Sequence, residues 1–173
     1  MGRGSTGAKA GVVAGIAYGI LGAIFTLVIL IVDKSAIIAA LDAYASTLSS
    51  LGFKASGSAL YSTELLAAPV GAVIEGIVGG IILGAIFGLA VHKIPGRNDK
   101  VKGMVFGFIL WFIFTVLMGL FSRTEFGNTY YLLTVLTGLV SVVVYGYILG
   151  ALFGKWWVEP SSQVQTESFN VNQ

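Results

Sequence analysis

The chain has 173 residues, 56% of them hydrophobic and 10% charged, with a formal net charge of +2 and no cysteine. Its mean hydropathy of +0.91 is far above soluble usage, because a soluble domain needs polar surface to cover its core. The small, scattered charge excludes a nucleic-acid partner, and the lack of thiols excludes disulfides, thiolate metal sites and sulfur redox chemistry.

Four stretches reach the roughly 20 apolar residues that a ~30 Å hydrocarbon core demands. The first covers residues 10–32, uncharged between Lys9 and Asp33. It is Gly-rich throughout and has no polar region with a small-residue cleavage site, so a retained span is expected, not a signal peptide. The long connection after it, residues 35–67, is read as an outer amphipathic segment. Ile37, Ile38, Leu41, Tyr44, Leu48 and Leu51 recur at helical spacing behind Ser35 as a cap, and Gly52 supplies a stop. A short, weakly charged helix suits a lid on the bundle; partner docking or lying in the interface is the other reading. "SALYSTELLAA" leads into the second span, residues 69–91, with Pro69 expected in the first turn, where it has no hydrogen bond to lose.

The third span is residues 103–122, closed by Arg123. The fourth is residues 129–154, entered through "GNTYY" and left through "KWW", with Tyr130 and Tyr131 marking one interface and Trp156 and Trp157 the other. The tail at 159–173, "EPSSQVQTESFNVNQ", has the composition of a solvated segment. The expectation is therefore an all-α polytopic membrane protein, with one four-helix transmembrane domain over residues 1–158. Seven of the ten Lys and Arg (Arg3, Lys9, Lys93, Arg97, Lys100, Lys102 and Lys155) fall on one side, against Lys34, Lys54 and Arg123 on the other. This predicts a cell-membrane protein with both termini cytoplasmic.

"ILGAIF" occurs at 20–25 and 82–87 and returns as "ILGALF" at 148–153. The copies lie on spans that carry four-residue Gly series: Gly11, Gly15 and Gly19, followed by Gly22 in the first copy; Gly76, Gly80, Gly84 and Gly88; Gly146, Gly150 and Gly154. In lipid there is little hydrophobic gain from pressing helices together, so association rests on close backbone approach, which Gly-x-x-x-Gly faces permit. These faces are read as helix-packing surfaces. Duplication into two tandem α-hairpins is a further reading, since "IILGAIFG" at 81–88 parallels "YILGALFG" at 147–154. Spans one and three share "IFT" at 24–26 and 113–115 and Gly-x-x-x-Gly at 11–15 and 103–107, but at offsets of 89 and 92, and such a small alphabet also produces matches by chance.

Glu75 lies inside the second span, where a carboxylate is costly and by default suggests function. By depth, Thr26, Thr115, Thr134 and Thr137 fall in the same layer on the other spans. The set is read as a proton or cation site, as a hydrogen-bonded tie between helices, or, for Glu75, as a carboxylate exposed at the lipid interface. His92, the single histidine, stands beside Lys93 at a boundary and has no companion for a metal. "MGRGST" fits a myristoylation pattern formally, but a Gly-rich tail before a span accounts for it. No Ser/His/Asp or Cys/His set, paired carboxylates or phosphate loop assembles, so no catalytic residue, cofactor or metal site is expected.

The run "IPGRNDKVKGMVFGFILW" at 94–111, with the Gly repeats around it, resembles small four-span, Gly-rich archaeal membrane proteins. The resemblance covers the spans, not the outer loop or tail. It implies the fold and no activity. The expected function is a non-enzymatic integral membrane subunit, in contact with the lipid bilayer and with other subunits or copies of itself, within a larger membrane complex or lipid-embedded coat. The alternative is a small transporter or channel that uses Glu75 for protons or cations.

Overall fold

The structure, a computed structural model, describes residues 2–52 and 54–157. The tail read at 159–173 and the domain boundary at 158 lie outside the described residues. The chain runs α1 (Arg3–Val32), α2 (Lys34–Ser50), α3 (Gly57–Ala90), α4 (Asp99–Leu110), a π-helical segment (Trp111–Leu117) and α5 (Gly119–Trp156). Four units are long and apolar enough to cross a membrane: α1 with 30 residues, α3 with 34, α4 continued by the π segment with 19, and α5 with 38. The protein is an all-α, multi-pass membrane protein, with no strand among the described residues.

Three boundaries differ from expectation. α3 begins at Gly57 and not at Pro69, because Ser56 Oγ caps it by accepting from the Ala59 N–H at 3.3 Å. The Gly57 N–H is also taken up, by Asp42 Oδ1 at 2.6 Å. Pro69 therefore lies within the helix, where its missing N–H deprives only the Leu65 carbonyl of a partner. α2 starts at Lys34, with Asp33 as the single junction residue after α1, so Ser35 is not its cap. Its end is as expected: Gly52 takes φ +90°, a left-handed conformation that glycine adopts at no steric cost.

The third span is α-helical only to Leu110. It then widens into π turns, with the Met118 N–H reaching the Ile113 carbonyl at 3.1 Å, and ends at Leu117 instead of 122. Residues 119–122 open α5, which is broken at Gly127 (φ 89°, ψ 178°) before the fourth span proper. Arg123 Nε donates to Asn128 Oδ1 at 2.5 Å across this break.

α1 packs antiparallel on α3 along glycines. Gly7 faces Gly84 and Gly88, Gly11 faces Gly80 and Gly84, Gly15 faces Gly76 and Gly80, and Gly19 meets Val73. α4 packs in the same manner on α5, Gly103 meeting Gly146 and Gly150 while Gly150 also meets Asp99. α1 against α5 joins the two pairs, also antiparallel. Tyr18 and Tyr145 meet edge to face with centroids 6.0 Å apart, and the Arg3 guanidinium lies 5.4 Å from the Trp157 ring. Arg3 and Trp157 thus mark one end of the bundle, the terminal end.

There all four spans contribute to a core of Ala10, Ala14, Phe87, Val91, Phe106, Tyr145, Leu149 and Phe153. The Phe87 ring sits 5.5 Å from Phe106 and 5.4 Å from Phe153. At the opposite end α2 forms a lid, its Ile37 buried with Ile29, Leu30 and Tyr61. The Tyr61 hydroxyl donates to the Leu30 carbonyl at 2.9 Å. Of the expected apolar face of α2, Ile38, Leu41 and Leu48 are half-buried, whereas Tyr44 and Leu51 stay exposed.

Candidate functional site: an intramembrane crevice

Glu75 immediately precedes Gly76, whose backbone lies against Gly15 and Gly19 of α1. The register of that seam fixes the direction in which the carboxylate leaves α3. It enters a cavity of about 360 Å³ between α3 and the third span. α3 contributes Glu75, Gly76, Gly79, Gly80, Ile82 and Leu83; the facing wall is Leu110, Trp111, Phe114 and Thr115; Tyr18, Gly138, Val142 and Tyr145 complete it.

The π segment explains why Trp111 and Thr115 both reach this space. One extra residue per turn rotates the residues beyond it by roughly 100° relative to an α-helix. The Trp111 indole N–H is held by the Val135 carbonyl at 3.0 Å, and Thr115 lies so near Gly138 that a Cβ there would be 3.0 Å from its methyl.

The four threonines placed by depth in the layer of Glu75 line a different space. Thr26, Thr115, Thr134 and Thr137 all line a second cavity of about 190 Å³, and the carboxylate among them is Glu64, with Tyr130 and Ser141. Glu75 is absent from that lining and belongs to the adjoining cavity. Tyr18, Thr115 and Gly138 line both. Glu64 precedes Glu75 by eleven residues, about three helical turns on the same face and roughly 16 Å along the axis.

Glu75 is exposed within the isolated chain. No hydrogen bond or ion pair to a described residue reaches it, and Tyr18 is its electrostatic neighbour. Tyr145 is only 4% accessible, yet its hydroxyl has no hydrogen-bond partner among the described residues. Toward the terminal end, Tyr145 and Leu83 of the crevice pack on the core of Phe87, Leu149 and Phe153, each under 2% accessible. His92 is exposed in the turn after α3, and no group of three His, Cys, Asp or Glu gathers among the described residues.

A family described as a family of unknown function (DUF6789) matches residues 9–164. The chain belongs to DUF6789. Comparison with curated proteins and with solved structures finds no match. In this DUF6789 chain the matched region contains all the residues named around both cavities.

Sequence reasoning passed over Tyr18, Trp111 and Tyr145, and over Gly7 as a member of the packing faces, and it read Gly103 only as part of a Gly-x-x-x-Gly match with the first span. A signal for the tyrosines was present: Tyr18 and Tyr145 lie well inside uncharged spans, whereas membrane tyrosines concentrate at the interfaces. Gly154, expected on the α5 packing face, meets the Asp99 side chain and not a helix backbone.

Proposed function

We propose that the chain is a non-enzymatic carrier of protons or cations in the cell membrane, with Glu75 as the exchanging group and both termini cytoplasmic. The observation that carries this reading is the adjoining of two cavities. A hydroxyl-lined space containing Glu64 shares Tyr18, Thr115 and Gly138 with the crevice containing Glu75, while the core of Phe87, Leu149 and Phe153 fills the terminal end. Seven of the ten Lys and Arg belong to the terminal end, which favours it as the cytoplasmic side. Glu75 is then approached from outside and sealed from within. Since the crevice lies between the α1–α3 and α4–α5 pairs, rocking one against the other would reverse that access.

Reconstitution in vesicles tests the reading: an imposed proton or cation gradient should drive flux through the natural protein, and Glu75→Gln should abolish it. Absence of flux from the natural protein rejects the carrier.

A second reading, a structural subunit of a larger membrane assembly, is favoured by one observation. Gly71 stands exposed four residues before Glu75, and a Cβ there would meet nothing within 4 Å. The glycines of α3 at 76, 80, 84 and 88 are filled by α1, whereas Gly71 leaves room for another helix. The size of the particle extracted in mild detergent decides this reading, which a lone 18.1 kDa chain eliminates.

A further inference from the structure

We propose that the Glu75 crevice binds a lipophilic organic cation, an amine or quaternary onium group carrying apolar arms. The proposal rests on the reading of Glu75 as the exchanging group and names the class of cation it exchanges.

Four observations lead to that class. The volume of about 360 Å³ lies within the range of small-molecule sites, roughly 300–1,000 Å³. The walls are largely apolar, with aromatic rings from Trp111, Phe114, Tyr18 and Tyr145 around one carboxylate. Aromatic faces attract onium groups through the ring quadrupole, and more strongly where water is excluded. The carboxylate itself has no partner within the described chain, and an anion at membrane depth requires a cation or a proton. Finally, the buried Tyr145 hydroxyl borders the cavity with its hydrogen bond unmade, leaving a polar contact for the ligand.

The alternatives fit less well. A hard metal ion takes about six to eight oxygen ligands, whereas this cavity offers one carboxylate and a few hydroxyls between apolar walls. A neutral lipid tail would fill the space but leave Glu75 uncompensated. The rim is open on the lipid side, since Glu75 and Ile82 are both exposed. A lipophilic cation can therefore enter from the bilayer, where it concentrates.

The test is binding of tetraphenylphosphonium to the full chain in mild detergent, measured by quenching of tryptophan fluorescence and by calorimetry. Triphenylphosphine oxide serves as the uncharged comparator. The natural protein should bind the cation and bind the neutral molecule far more weakly. Glu75→Gln should weaken the cation about tenfold or more, Trp111→Leu should weaken it severalfold, and Glu125→Gln, on the exposed turn before Gly127, should leave it unchanged. Unaltered affinity in Glu75→Gln, or equal binding of the two probes, overturns the proposal. Should Glu75→Gln fail to fold, the comparison of charged and neutral probes on the natural protein decides alone. Proton flux through Glu75 without tetraphenylphosphonium binding overturns the ligand class and leaves the carrier standing. Binding without any flux supports the site and removes the carrier.

Discussion

Gly11 of α1 and Gly80 of α3 face each other's carbonyl oxygens so closely that a Cβ on either would fall onto the backbone of the other. The contact repeats one turn away at Gly15 with Gly76 and at Gly7 with Gly84. Two helices with small residues in register approach until backbone meets backbone, and dispersion along that seam replaces the hydrophobic drive that lipid cannot supply.

Leucine at these seams should therefore separate whole helices. Gly84→Leu and Gly150→Leu are expected to cost above about 4 kcal/mol, whereas Val78→Leu and Val140→Leu, whose side chains are exposed, should stay within about 0.5 kcal/mol. Thermal unfolding in detergent measures both. Equal melting of the two classes would refute the seam as the source of stability.

Gly71 and Gly79 make the opposite prediction. Each is helical with open space where a Cβ would stand, so alanine there should stabilise the monomer by roughly 0.5–1 kcal/mol per site. If another helix lies over Gly71, the change there should reduce the size of the detergent-extracted particle. Melting temperature and particle mass together separate the two effects.

Beneath the lid, a buried bond that ties α3 to α1 can be cut without changing shape. Tyr61→Phe removes the hydroxyl that donates to the Leu30 carbonyl at 2.9 Å and should cost about 1 kcal/mol. Hydrogen exchange should rise in α2 and in the last turn of α1 while the Gly seams stay protected. An unchanged exchange pattern would show that the bond does not steady the ground on which Ile37 of the lid packs.

Topology is open to a direct check. A tag after Lys54, exposed between α2 and α3, should be accessible to protease in intact cells, and a tag at the C-terminus should be protected. The reverse pattern would place the hydroxyl-lined cavity on the cytoplasmic side. Insertion after Gly57 is unsuitable, because Gly57 is buried and its N–H is held by Asp42.

Four spans, their approximate limits and the glycine series were legible in the linear sequence, because apolar length and four-residue recurrence are properties of one helix at a time. The continuation of α3 through Pro69 was not. Its start depends on Ser56 as cap and on Asp42, fifteen residues earlier, accepting from Gly57. Nor was the π segment, where Trp111 bonds to Val135 on another helix. Depth along a helix follows from counting residues, and Thr26, Thr115, Thr134 and Thr137 line one cavity. Which carboxylate they surround depends on azimuth and on which helix packs beside which. Those are set by the Gly11–Gly80 and Gly103–Gly146 seams in three dimensions, and they place Glu64 among the threonines and Glu75 in the aromatic crevice next to them.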